Sequence, residues 1–108
     1  MSLVIKKETK NTTMTLKFIG ILDISTTNEI VPYLNEIDNN LKELSLDFSE
    51  IEFIDSTGIG SIMNAIHLSQ EKDFTLKFEG VNELTRQVFE MVGLYDILEA
   101  VQQEGLDV

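Results

Sequence analysis

The chain has 108 residues, 43% of them hydrophobic, with eight Lys plus Arg against nineteen Asp plus Glu for a formal charge of −11, which describes one globular domain with a single core. That acidity excludes a grip on nucleic-acid phosphates or anionic membranes, both of which take clusters of Lys and Arg. Cysteine is absent, which excludes disulfides, thiolate metal sites and cysteine catalysis; no apolar run approaches the ~20 residues of a membrane span and no export leader is recognisable, so a cytoplasmic protein is expected.

A first strand is predicted over residues 3–8, with a hairpin connection at Thr9-Lys10-Asn11-Thr12. Met14, Leu16 and Phe18 then alternate with Thr13, Thr15 and Lys17, the period of a half-buried strand. Thr26 and Glu29 have capping-box spacing, and Ile30, Leu34, Ile37 and Leu41 follow as one apolar helical stripe. Pro32 is comfortable only near a first turn, which moves the predicted helix start toward Asn28. A third strand places Leu44, Leu46 and Phe48 opposite Ser45 and Asp47, and a second helix carries Ile59, Ile62, Met63 and Ile66 on one side. Phe74, Leu76 and Phe78 opposing Thr75, Lys77 and Glu79 give a fourth strand. A third helix carries Leu84, Val88, Met91 and Val92, opened by Asn82 and closed by Gly93; residues 94–101 form a short last helix. Strands covered on both faces read as continuous apolar runs. These have polar outer faces, so the order β-β-α-β-α-β-α plus tail predicts a two-layer α/β unit with helices on one face.

One stretch has chemical content: Phe53-Ile54-Asp55-Ser56-Thr57-Gly58-Ile59-Gly60-Ser61, between the third strand and the second helix. Asp, Ser and Thr at a helix start accept hydrogen bonds from first-turn amides, and glycine permits a tight bend, so an N-cap explains part of the pattern. Three consecutive polar side chains, then two glycines two residues apart, go further. They put a hydroxyl at an uncluttered, solvent-facing helix start where another protein can reach it.

Enzyme readings fail on geometry. An aspartic protease needs Asp-Thr/Ser-Gly contiguously in an all-β fold, whereas an extra residue separates Asp55 from Gly58 and the helical stripes contradict that fold. Ser56 and His67 share a helix face but stand about 16 Å apart along it, far beyond hydrogen-bond reach. A Walker loop needs a Lys after its glycines, and none follows Gly58 or Gly60. Asp23, Ser25, Thr27 and Glu29 alternate, yet lack the central glycine and closing Glu of a calcium hand. The pairs Glu36/Asp38, Glu50/Glu52 and Glu71/Asp73 read as solvated loops and faces.

The segment Leu46-Asp47-Phe48-Ser49-Glu50-Ile51-Glu52-Phe53-Ile54-Asp55-Ser56-Thr57-Gly58-Ile59-Gly60 resembles the strand, loop and Asp-Ser-Ser/Thr-Gly-Leu-Gly helix start of the STAS domain family, specifically its stand-alone bacterial anti-sigma-factor antagonists. Gly20-Ile21-Leu22-Asp23 is similar to the family's turn after its second strand, and Val88-Phe89-Glu90-Met91-Val92-Gly93-Leu94 to its third-helix ending. The resemblance covers nearly the whole chain and implies a single domain over residues 1–108 with a mixed four-stranded sheet and helices packed on one face. Two departures concern loops. Residues 69–73 carry no glycine where the family often has them, and Pro32 is unusual in the first helix.

The resemblance further implies a phosphorylation switch. The serine aligned with Ser56 is phosphorylated by a partner that is both anti-sigma factor and serine kinase, the unmodified form binds that partner and releases the sigma factor, and a serine phosphatase resets the system. Under that reading Asp55, Thr57, Gly58 and Ile59 shape the docked surface, Asp23, Ile24 and Ser25 form its adjoining loop, and the chain is a monomer. It needs no cofactor of its own, since ATP and Mg belong to the kinase, and it is not an enzyme. Two alternatives remain at this stage: a STAS scaffold or phospho-switch partner of a non-sigma regulator, and a small hydrolase in which a neighbouring subunit supplies His67 to Ser56.

Overall fold

The computed structural model describes the backbone of residues 2–106 and the side chains of residues 2–102. Strands β1 (Leu3–Lys10), β2 (Thr13–Leu22), β3 (Glu43–Ile54) and β4 (Thr75–Glu79) lie side by side in chain order. β1 and β2 are antiparallel, joined by a tight turn in which Asn11 takes φ 55°, a left-handed conformation that Asn tolerates. β2, β3 and β4 are parallel, so the sheet is mixed. Right-handed crossovers that advance across a sheet in one direction all return over the same face. That rule puts α1 (Val31–Asn35) and α2 (Ser56–Lys72) on one face, and α3 (Glu83–Met91) and α4 (Leu94–Leu106), which follow the last strand, complete the same layer, α4 packing on α2 and α3.

Leu16, Phe18 and Leu22 of β2, Leu44, Leu46 and Phe48 of β3 and Leu76 of β4 are buried beneath Ile62 and Ile66 of α2, Phe89 of α3 and Leu94 of α4. Ring contacts cross the layers: the Phe48 centroid lies 5.4 Å from both Phe18 and Phe89, and Phe89 lies 5.9 Å from Tyr95. Tilted and edge-on pairs of this kind add about 0.5–1.5 kcal/mol each beyond the area they bury. The other sheet face is solvated and laced by ion pairs, Lys17 to Glu50 at 2.6 Å and Lys77 to Glu43 at 3.0 Å.

Several expectations need correction. The first helix is not one stripe from Asn28 to Leu41: a single 3-10 turn, Thr27–Glu29, precedes the five residues of α1. Pro32 sits in that first turn, and beyond Asn35 the side chain of Asp38 captures the Asn40 amide at 2.9 Å, a local turn that competes with helix. Ile30, Ile37 and Leu41 are buried even so. Second, Thr26 caps nothing; its hydroxyl instead donates to the Ile21 carbonyl at 2.8 Å and accepts from the Asp23 amide at 3.0 Å. Third, Leu84, Met91 and Val92 are not core residues, being 72%, 85% and 42% exposed. Thr85 and Phe89 face inward instead, while Asn82 caps the helix as expected through the Thr85 amide at 2.8 Å.

The glycine-free end of α2 closes with Asp73 in the left-handed region, φ 61°, in place of the usual glycine. β2 also runs past Gly20, so the expected turn at Gly20-Ile21-Leu22-Asp23 begins only at Asp23. Gly20 is required where it stands: its φ is +107°, and a Cβ there would lie 2.4 Å from the Ser2 carbonyl oxygen.

Strand β3 carries two bulges. Lys17 pairs with Asp47 but Ile19 with Glu50, and Gly20 pairs with Ile51 but Ile21 with Phe53. Each shift inserts one extra residue and flips the alternation of faces. The inward positions therefore pass from Leu44, Leu46 and Phe48 to Ile51 and then to Ile54, and Phe53 is turned out, 55% exposed.

Candidate functional site

Parallel strands β2 and β3 end side by side at Leu22 and Ile54, so the loop after β2 and the start of α2 meet at one corner of the sheet. Asp55 organises that corner. Its backbone is extended at φ −108° and ψ −174°, and its amide donates to the Leu22 carbonyl at 3.2 Å. One carboxylate oxygen accepts from the Gly58 amide at 2.9 Å, the N-cap bond. The other accepts from the Ile24 amide at 3.3 Å, which joins the β2–α1 loop to the helix start.

Ser56 is the first residue of α2 and is exposed, and among the described residues nothing engages its hydroxyl. Thr57 is half-buried beside it. Gly58 lies underneath, where a Cβ would meet the Leu22 carbonyl oxygen at 2.6 Å and the Ile54 Cγ1 at 2.8 Å; glycine is what lets α2 approach the strand ends so closely. Ile59 is 5% exposed and belongs to the core, so its side chain supports the corner from below and presents no contact surface. Gly60 faces open space.

The loop forms the second wall. Asp23 Oδ1 accepts from the Ser25 amide at 2.9 Å and the Ser25 hydroxyl at 2.6 Å. That hydroxyl, with the amide behind it, holds the Asp23 carboxyl below its ordinary range. The Asp23 carbonyl accepts from the amides of Thr26 and Thr27. Ile24, between these anchors, projects outward and is 75% exposed. The structure thus brings Asp23, Ile24, Ser25, Asp55, Ser56 and Thr57 to one corner. Sequence reasoning missed the residues that fasten it. Thr26 is read as a cap although it ties off the end of β2, and the Thr27 hydroxyl meets the Ser61 hydroxyl across the loop and α2, a pairing with no sequence signal. His67 is exposed, on the same helix as Ser56 and about 16 Å farther along it. Among the described residues no cluster of His, Asp or Glu is placed to hold a metal, and no helix is long and apolar enough to cross a membrane.

Comparison with known proteins agrees with the fold. The sequence pattern of the STAS domain matches residues 4–105. An anti-sigma-B factor antagonist of Listeria monocytogenes is 32% identical over 62 residues, covering 57% of this chain and 54% of that protein, about half the relative's length. An anti-sigma-B factor antagonist of Staphylococcus aureus is 26% identical over 109 residues, covering 100% of this chain and 99% of the other. Among solved structures, an anti-sigma factor antagonist from Mycobacterium paratuberculosis superposes with TM-score 0.71 at 20% identity, covering 94% of this chain and 95% of that one. With a mixed four-stranded sheet, one layer of helices, and a family pattern running almost from end to end, the chain belongs to the STAS domain family.

Proposed function

We propose that this chain is an anti-sigma-factor antagonist switched by phosphorylation of Ser56. The observation that carries the reading is the unengaged, exposed hydroxyl on the first residue of α2, beside a loop that Asp55 holds in place. Unmodified, the corner formed by Asp23, Ile24, Ser25, Asp55, Ser56 and Thr57 docks an anti-sigma factor that is also a serine kinase, and the sigma factor is released. The kinase, with its own ATP and Mg, transfers the γ-phosphoryl group to Ser56 Oγ; the serine proton goes to a kinase base and ADP departs. A phosphoryl group brings about −1.5 to −2 charge and three acceptor oxygens. Next to Asp55 on a chain of charge −11, that bulk and charge turn an attractive surface into a repulsive one. The amides of the first helical turn and the helix dipole offset part of the cost, so the modified chain stays folded. A serine phosphatase restores the hydroxyl, and the antagonist acts as a cytoplasmic monomer.

Mass spectrometry after incubation with ATP and the source organism's anti-sigma factor tests this. Phosphate on Ser56, binding lost in Ser56→Asp and binding kept in Ser56→Ala are expected. Binding indifferent to both substitutions overturns the switch and favours a scaffold. Turnover of an ester substrate that His67→Ala abolishes overturns it in favour of a hydrolase.

A further inference from the structure

Five of the six phenylalanines lie in the core or pack against it, but Phe53 does not. The second bulge in β3, at Glu52, turns it onto the open face of the sheet, where it pairs across to Ile21. One row along, Ile19 pairs with Val4, which is half exposed. Val4, Ile19, Ile21 and Phe53 all lie outside the core cluster, and together they form an apolar platform on a face whose remainder is polar and ion-paired. The platform reaches the site directly, since Phe53 and Ile21 each stand two residues before its walls, Asp55 and Asp23. Contiguous exposed apolar surface rimmed by polar groups marks an interaction site, and bulges beside functional corners re-aim side chains.

The rim decides what covers it. The exposed, bulged Glu52 directly precedes Phe53, Glu50 stands opposite Ile19 and engages the adjoining Lys17, and Asp23 and Asp55 follow two residues beyond Ile21 and Phe53. Lys6, across from Lys17, is the one basic group there outside an ion pair among the described residues. A second copy would bring two acidic rims together on chains of charge −11 each, and an anionic bilayer would be repelled in the same way. From the turned-out Phe53 and this acidic border we infer that the platform is a second contact area for the anti-sigma factor docked at Ser56, receiving an apolar projection ringed by Lys or Arg. The inference rests on the proposed function and extends its surface from the helix corner onto the sheet.

Calorimetric titration of the source organism's purified anti-sigma factor into the unmodified chain tests it, with Phe53→Ser, Ile21→Thr and Ser56→Asp run alongside at low and high salt. Phe53→Ser should weaken binding about tenfold or more, as loss of an apolar anchor does. Ile21→Thr, which keeps the β-branch, should weaken it in the same direction, and both should melt at the wild-type temperature. Salt should weaken the wild-type complex, as opposite-charge rims require. Wild-type affinity in Phe53→Ser and Ile21→Thr, with binding lost in Ser56→Asp, overturns the platform and leaves the switch standing. A wild-type chain that does not bind overturns both. Sedimentation showing a dimer of this chain that Phe53→Ser dissolves overturns the inference by giving the platform to a second copy.

Discussion

The Asp55 carboxylate bonds the Gly58 amide with one oxygen and the Ile24 amide with the other, at 2.9 and 3.3 Å. One side chain therefore starts α2 and also fixes the position of the neighbouring loop. Asp55→Ala should cost about 1 kcal/mol in urea unfolding, the usual value of an N-cap, and should speed amide hydrogen exchange at Ile24. An effect on the cap alone, with Ile24 exchange unchanged, would show that the loop is held by its own turns.

The two glycines of the same motif should behave oppositely. Gly58→Ala places a methyl group 2.6 Å from the Leu22 carbonyl oxygen and should destabilise by about 1–3 kcal/mol, as overpacking does. Gly60→Ala meets nothing within 4 Å and should stabilise the helix by up to about 1 kcal/mol. Thermal melts of the two variants compare them directly.

Asp23 should titrate below the ordinary carboxylate range of about 3.9, because the Ser25 hydroxyl and amide bond its charged form. The lowered value means that the loop gains from this carboxylate above the unfolded-state pKa and loses that gain as the pH falls through the folded-state one. Carbon-detected NMR titration should show this, and Ser25→Ala should move the midpoint upward.

On α3, Phe89→Ala should cost about 3–5 kcal/mol, as for a fully buried aromatic side chain. Met91→Ala, at an 85% exposed position, should stay within about 0.5 kcal/mol of wild type. Paired denaturant titrations decide whether the inward face has been assigned correctly.

Both α3 substitutions probe the limit of what periodicity reveals. Leu84, Val88, Met91 and Val92 make a sound apolar stripe by spacing, yet of the four only Val88 packs against the core, and the helix rests on Thr85 and Phe89, a choice made by the rings of Phe48 and Phe78 above which it docks. The alternation in residues 13–18 and 44–48 made the strands legible because one face is dry and the other wet. The bulges in β3 were not legible, since an inserted residue leaves no compositional trace. The helix corner was readable in part. Asp55 through Gly58 announce a capped turn, whereas Ile59 shares the motif but faces the core because α2 buries that side. The fastening of the loop by Thr26 and Thr27 depends on where β2 ends, which becomes visible only when the strands are paired.

The run of rings from Phe18 to Tyr95 also has a spectroscopic use. The chain has no Trp and two Tyr, and Tyr95 sits against Phe78 and Phe89 at the junction of α3 and α4. With Tyr33 changed to Phe, the emission of a single phenol would report whether the carboxy-terminal helix stays seated, a label-free optical gauge already present in the molecule.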